Sequence, residues 1–289
     1  MTKRVALMRL RWAVSAAVAL AVWQLLPDRY MGPHHAWNPH AIMEFVLTLF
    51  FISLASQWDV YVWGAHHGLL LTGLMGGFAS STATIHTMGA VAKSQPQFAD
   101  RAALGAVLSN IATLMQLVVL LHLLAPQVLV LLTLPISFGM VGVCAYAARS
   151  LVVASPAGRI STATRAAVAV DWKSMLTLTA LVCGVSYASA AMNAIYGQSG
   201  LWLGAALSGL VDAHAIVPTL ASLLLQNKLQ AHDALMPLLM ALTANTLTKS
   251  LIAFQSGGWL YARSVSGGVW LTTAAVWLGY IAQEAGLGF

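Results

Sequence analysis

Nine long apolar segments, separated by short polar stretches, constrain this chain more than any other feature of its sequence. They lie at about 10–26, 41–58, 68–92, 102–124, 126–148, 174–195, 200–226, 234–254 and 268–284. Each is close to the length that crosses about 30 Å of hydrocarbon as a helix. Only 8% of the residues are charged, whereas a soluble domain needs about a quarter. The sequence therefore predicts an all-α polytopic membrane protein with the lipid bilayer as a partner.

Two parts of the chain repeat each other. "GLLLTGLMGGFASSTATIHTM" (68–88) aligns without gaps with "GLWLGAALSGLVDAHAIVPTL" (200–220). After three extra loop residues in the second copy, "LGAVLSNIAT" (104–113) aligns with "LMALTANTLT" (239–248). Glycine and asparagine fall in step as well as leucine, which indicates an internal duplication.

This duplication divides the chain into two halves. In the alignment Ser80 stands opposite Asp212, and Asn110 stands opposite Asn245. The predicted parts are a first membrane half at 1–148 with its repeat at about 41–124, a cytoplasmic linker at 149–172, and a second membrane half at 173–289 with its repeat at about 174–254 and an extra C-terminal helix at 268–284.

The distribution of lysine and arginine predicts how the segments cross. If all nine span the membrane, the basic residues separate poorly. If 68–92 and 200–226 enter and leave on the same side, the inner side collects eleven basic residues and the outer side keeps only Arg29 and Lys228, as the positive-inside rule expects. The eleven are Lys3, Arg4, Arg9, Arg11, Lys93, Arg101, Arg149, Arg159, Arg165, Lys173 and Arg263. The prediction is an inverted-repeat helical bundle with a cytoplasmic N-terminus, about seven spanning helices and two re-entrant or broken helices.

Polar residues lie deep inside both of the interrupted segments. Non-helical backbone is tolerated at that depth only where it lines a polar cavity or is buried in protein. A carboxylate such as Asp212 costs about 2.5–3.5 kcal/mol within an apolar segment, so it needs a partner, a proton or an ion. The predicted ion-binding residues are Ser80, Ser81, Thr82, Thr84, Asn110, Asp212, His214 and Asn245, and the predicted structural glycines are Gly76, Gly77 and Gly209.

Lys249 is a candidate partner for Asp212, and it lies one helical turn after Asn245. Such a pair can be a structural buried salt bridge or an exchange device in which a cation or a proton displaces the lysine. The sequence leaves both readings open. A mixed oxygen and nitrogen site suits a bound divalent metal cation, with Asp212, His214 and His86 as candidate ligands.

Four stretches carry a family resemblance: "NPHAIMEFVLTLFFISLAS", "GLLLTGLMGGFASSTATIHTMG", "GLVDAHAIVPTLA" and "ALTANTLTK". Together they resemble the bacterial and archaeal membrane domain of unknown function 4010, over about residues 8–284. That domain occurs alone or fused behind an MgtC/SapB-type membrane domain. The resemblance implies a multi-span fold in the inner (cytoplasmic) membrane, an association with divalent-cation physiology and an MgtC-like membrane partner, but no substrate. The family motif falls on Gly76, Gly77, Ser80, Ser81, Thr82, Asp212, Asn245 and Lys249, and a second acid often stands where this chain has His214.

These features predict a membrane transporter or channel for a small inorganic ion, above all a divalent metal cation, coupled through protonation of Asp212 or through competition with Lys249. Two alternatives stay open: a non-transporting scaffold or regulator of a partner transporter, and a translocator of a small organic or lipid-linked anion. A homo-oligomer is a candidate assembly. The sequence contains no Walker, Rossmann, H-E-x-x-H or G-x-S-x-G motif and no basic run interleaved with aromatics. We therefore expect neither an enzyme nor a nucleic-acid-binding protein.

Overall fold

The computed structural model describes residues 14, 17–33, 37–63, 68–153 and 172–287. Within them the regular secondary structure is helical, apart from one isolated bridge between Met31 and Trp37. In this described part, four helices are long and apolar enough to cross a membrane: Gly68–Ser94, Pro96–Leu124, Pro126–Leu151 and His232–Gly286. The all-α, membrane-type fold is thus confirmed. The N-terminal basic residues and most of the predicted linker lie outside the described residues.

The helices follow the apolar segments closely. In chain order they are α1 (17–25), α2 (Pro39–Trp63), α3 (Gly68–Ser94), α4 (Ala99–Leu124), α5 (Pro126–Val153), α6 (Trp172–Tyr196), α7 (Gln198–Val211), α8 (Val217–Leu225) and α9 (Leu235–Ala282). Local signals set several starts. Asn38 begins α2, since its side-chain oxygen accepts the N–H groups of His40 and Ala41 at 3.0 and 3.2 Å. Proline occupies the first position of α2 and α5, where its missing N–H is not needed.

Helix α9 is a hairpin of two antiparallel arms. It breaks at Gly258, whose φ of 77° and ψ of −177° suit glycine alone. The Thr246 and Thr273 hydroxyls lie 2.6 Å apart, and Trp277 Nε1 donates to Thr243 Oγ1 at 2.9 Å. The lower residue number on the first arm, 243, pairs with the higher number on the second arm, 277. The arms α9a (235–257) and α9b (259–282) therefore run in opposite directions. The residues between the predicted segments 234–254 and 268–284 therefore extend the two arms and do not form a long loop.

Helix α3 also folds back on itself. Its backbone becomes extended at Ser80, with φ −170° and ψ 112°. A Cβ placed on Gly76 would lie 2.7 Å from Thr84 Oγ1, although residues eight apart in a straight helix are separated by about 12 Å. Arms α3a (68–79) and α3b (81–94) therefore meet near the turn. A Cβ on Gly77 would lie 2.7 Å from Ser109 Cα, so α3a packs closely on α4.

One end of the bundle, which we call the His232 end, gathers four termini. His232 at the start of α9a lies 2.9 Å from Glu284 at the end of α9b, measured from Nε2 to Oε1. The Tyr30 hydroxyl lies close to Ser222, near the end of α8, and to Asn38, at the start of α2. Helix α8 therefore ends near the start of α2, and the short segment 226–234 leads from it to the start of α9a.

The opposite end, which we call the Arg263 end, gathers the α9 turn and termini of α3, α4 and α5. Arg263, just after the α9 turn, lines one cavity with Asp100 at the start of α4 and Arg149 near the end of α5. The start of α3a lies there as well, because a Cβ on Gly105 would lie 2.5 Å from the Leu69 carbonyl oxygen. Both arms of α3 thus have their outer termini at this end.

Close helix packing predicts which glycines tolerate a side chain. A Cβ on Gly209 would collide with the backbone of Ala241 in α9a, whereas a Cβ on Gly184 in α6 meets nothing within 4 Å. We expect Gly209→Ala to lower stability by about 1–3 kcal/mol, and Gly184→Ala to be neutral or slightly stabilising. The measurement is the temperature at which purified protein in detergent loses its monodisperse size-exclusion peak. Equal behaviour of the two variants would contradict this packing.

Candidate functional site

The polar stretch of α3 forms the turn between its two arms. Ser80 leaves the helical conformation, and its Oγ accepts the N–H of Ala83 at 3.2 Å. This bond caps α3b in the usual way for a serine at a helix start. Thr84 is buried against Gly76, whereas Ser81 and Thr82 are half-buried. Gly76 and Gly77 do not have positive φ, so they serve close packing here, and the sharp turn falls at Ser80.

The corresponding turn of the second repeat lies between α7 and α8. Asp212 is extended, with φ −153° and ψ 133°, and its Oδ1 accepts the N–H of His214 at 2.7 Å. Helix α8 then begins at Val217, with Pro218 in its first turn. Ser80 and Asp212 stand opposite each other in the sequence alignment. The two helices are therefore interrupted at matching positions.

The carbonyl groups freed by these interruptions also match. The Phe78 carbonyl accepts a hydrogen bond from Gln116 Nε2 of α4 at 3.1 Å, and the Leu210 carbonyl accepts one from Thr248 Oγ1 of α9a at 2.8 Å. Phe78 and Leu210 are aligned in the repeat. Each broken helix thus has an acceptor satisfied by a side chain from the next helix, as a backbone group away from water requires.

Helix α4 joins the two interruptions. His214 Nε2 lies 3.0 Å from the carbonyl oxygen of Thr113, three residues before Gln116. Three residues advance about 4.5 Å along a helix. Both interruptions therefore reach α4 within about one turn of each other.

The contacts of His214 indicate how many protons the Asp212–His214 pair holds. Its Nδ1 lies 2.9 Å from Asp212 Oδ1, and its Nε2 faces the Thr113 carbonyl, which can only accept a hydrogen bond. With Asp212 ionised, both ring nitrogens must donate, so the imidazole is protonated. With a neutral imidazole, the carboxyl group must carry the proton and donate it to Nδ1. In either form the Asp212–His214 pair holds one proton more than an ionised aspartate with a neutral histidine would hold, and the pair has no net charge.

Lys249 lies beside this pair and is almost fully buried, with 2% of its surface exposed. Its Nζ donates to Asn110 Oδ1 at 2.7 Å and to Thr113 Oγ1 at 3.1 Å. The ion pairs of the described residues join histidine to a carboxylate, and none includes Lys249. Asp212 attracts Lys249 electrostatically without that contact. Thr113 therefore connects the two, because its carbonyl accepts from His214 and its hydroxyl accepts from Lys249.

A small cavity of about 20 Å³ adjoins Lys249, between α4 and the two arms of α9. That is room for about one water molecule or a comparably small ion. Asn245, Thr246 and Thr273 contribute polar groups to its wall. The full lining is Asn110, Thr113, Leu114, Leu242, Asn245, Thr246, Lys249, Thr272, Thr273 and Val276.

The site brings together some predicted residues and separates others. Asp212, His214, Asn110 and Lys249 form one hydrogen-bonded and electrostatic cluster, and Asn245 lines the adjoining cavity. The interrupted turn holds Ser80, while Ser81, Thr82 and Thr84 do not line this cavity. His86 is exposed on α3b. In the part of the chain that is described, no group of three or more His, Cys, Asp or Glu residues is placed to hold a metal ion.

Sequence reasoning missed the residues that connect the cluster. Thr113 and Gln116 of α4 bind His214 and the Phe78 carbonyl, and Thr273 of α9b closes the cavity. A signal existed for Thr113, because it follows Asn110 by one helical turn and aligns with Thr248. Thr273 lies outside both repeats, so no internal comparison could have found it.

These observations define a helical membrane protein with two interrupted helices and a largely buried cluster of ionisable side chains where both of them meet α4. The chain belongs to the family described as Domain of unknown function (DUF4010), whose match covers residues 46–257. The match includes both interruptions and Lys249. No curated protein and no solved structure matches the chain.

Proposed function

We propose that this protein is a proton-coupled transporter of a small inorganic ion, with its central site between the two interrupted helices. The observation that carries the proposal is the hydrogen-bonded Asp212–His214 pair, which lies beside the buried Lys249 where both interruptions meet α4. Ionisable residues inside a membrane are costly and usually mark an ion or proton path. Discontinuous helices at matching positions of a repeat are typical of secondary transporters.

The proposed topology has about seven spanning helices and two re-entrant hairpins in an inverted repeat. In support, both outer termini of α3 lie at the Arg263 end, whereas α8 ends at the His232 end. The two hairpins would then enter from opposite sides. Lys93, Arg101, Arg149 and Arg263 favour the Arg263 end as the cytoplasmic one, in the inner membrane and with a cytoplasmic N-terminus.

Coupling would work through the net charge of the cluster. With its proton, the Asp212–His214 pair is neutral; without it, the pair carries one negative charge. Among the described residues, Lys249 is the ionisable group outside the pair that interacts electrostatically with it. Loss of the proton would draw the Lys249 ammonium towards Asp212 and away from Asn110 and Thr113, because attraction between charges is strong away from water. Proton release and ion binding would therefore affect each other.

The proposed transported ion is a small ion of either charge. One observation favours an anion over the divalent cation that the family resemblance implies. Lys249 places a buried amino group, positively charged when protonated, beside the cavity, together with the hydrogen-bonding groups of Asn245, Thr246 and Thr273. A cation there would be repelled by the ammonium. Asp212 and His214 supply two ligands of the kind that a divalent metal prefers, and the pair already holds a proton.

The test is ion flux in proteoliposomes. We expect wild-type protein to move at least one ion of a panel of Mg²⁺, Mn²⁺, chloride, fluoride and phosphate, and to acidify or alkalinise the lumen as it does so, followed with a trapped pH dye. Empty liposomes give the background. If wild-type protein moves no ion and no proton, the proposal fails, and a scaffold for a partner such as an MgtC-like membrane protein becomes the better hypothesis.

A further inference from the structure

A large cavity at the Arg263 end plays no part in the proposed transport site. It has a volume of about 780 Å³ and lies between the start of α4, the end of α5 and the first turns of α9b. Pockets that bind small ligands usually measure about 300–1,000 Å³. Its volume falls within that range.

More basic than acidic side chains line this cavity. Arg149 and Arg263, from two different helices, line it together with one carboxylate, Asp100. Neither arginine has an ion-pair partner among the residues that the structure describes. Two arginines that line one space suit an anion with several oxygens, because each guanidinium can donate two parallel hydrogen bonds.

The rest of the wall has a polar and an apolar part. The Tyr146 hydroxyl donates to the Ser264 carbonyl and ties α5 to α9b, which fixes the separation of the helices that carry the two arginines. Leu104 and Leu271 supply apolar surface in the same cavity. An amphiphile with an anionic head and an apolar tail would satisfy both parts. Basic pockets between membrane helices are known to suit lipid phosphate groups.

We propose that this cavity binds a phosphate-bearing anion between Arg149 and Arg263. The phosphate is either that of an anionic lipid head group or that of a soluble phosphate ester. The proposal does not depend on transport, since none of these residues belongs to the Asp212–Lys249 cluster.

The experiment measures lipid retention by the full-length protein with native mass spectrometry, in neutral detergent containing either phosphatidylglycerol or phosphatidylcholine. We expect wild-type protein to retain phosphatidylglycerol selectively, and Arg149→Ala/Arg263→Ala to retain about tenfold less, because each lost charge-assisted hydrogen bond weakens binding substantially. Lys93→Ala removes an exposed basic residue that does not line the cavity and should retain as much as wild type. Added glycerol 3-phosphate distinguishes a lipid head group from a soluble phosphate ester as the source of the phosphate. Displacement of the lipid indicates that a soluble phosphate ester suffices for binding. No displacement indicates that the lipid is required.

A second variant tests the cavity with both arginines intact. Gly267 lines the cavity, and a Cβ there meets only ordinary contacts with Tyr146 at 3.7 Å or more. Gly267→Leu should therefore fold, project into the cavity and lower retention as the double variant does. Equal retention by wild type and the double variant, equal retention of the two lipids, or full retention by Gly267→Leu would each overturn the proposal.

Discussion

Asp212→Asn is expected to reduce proton-linked ion flux to the level of empty liposomes. The amide oxygen can still accept the N–H of His214 and so preserve the start of α8. It cannot carry the negative charge that balances a protonated imidazole. His214 would become neutral and lose its donation to one of its two acceptors, at a stability cost of about 1–3 kcal/mol. Flux of the ion and lumenal pH, recorded together in proteoliposomes, check this expectation.

The chain supplies a matched control for that variant. Glu284 and His232 form a second carboxylate–histidine pair with the same 2.9 Å separation, but at the exposed end of the bundle. Glu284→Gln should leave both signals unchanged. Thermal stability of each purified variant distinguishes loss of transport from loss of fold. Undiminished proton flux in a well-folded Asp212→Asn variant would remove the proposed coupling site.

Lys249→Met is the second variant with a large expected effect. Methionine has a similar length but no charge, and the Asn110 and Thr113 oxygens would lose their ammonium donor. The cost of these lost bonds, about 1–3 kcal/mol for each unsatisfied group, is offset by the removal of a buried charge. We therefore expect a folded protein of nearly unchanged stability. If the cargo is an anion, its flux should fall to background, since the site loses its positive charge.

The same variant separates the two kinds of cargo. Flux of a divalent cation that persists or rises in Lys249→Met would contradict the anion assignment and support a metal-ion transporter. Lys228→Met is the appropriate control, because Lys228 is exposed near the His232 end. It should transport like wild type with every ion of the panel.

Much of the fold was open to prediction because it depends on local chemistry. Segment length and low charge predicted membrane-type helices, and the described residues are helical over most of the predicted segments, although α9b begins nine residues earlier than the predicted segment 268–284. The distribution of basic residues and the polar stretches at matching positions predicted two interruptions, and the aligned residues Ser80 and Asp212 both have extended backbone. A short polar side chain that accepts N–H groups favours a helix start over a helix interior. The residues close to each break in the sequence therefore determine where it occurs.

The arrangement of the site depends on contacts between distant residues. The sequence left open whether Asp212 pairs with Lys249, and the structure instead places Lys249 on Asn110 and Thr113, with His214 against Asp212. A rotation of α4 by one residue would turn its side chains by about 100°. The residue that joins the two charged groups is therefore set by helix rotation and not by spacing along the chain.

By itself, the sequence determined that the chain forms membrane-type helices, where two of them break, and that the breaks repeat. Both properties follow from local hydrophobicity and from hydrogen bonding within a few residues. Only the tertiary structure decided that α4 receives both breaks, that His214 lies between Asp212 and the Thr113 carbonyl, and that Thr273 closes the cavity beside Lys249. Those features need helices more than 100 residues apart to pack at one rotation and one depth, which no local pattern encodes.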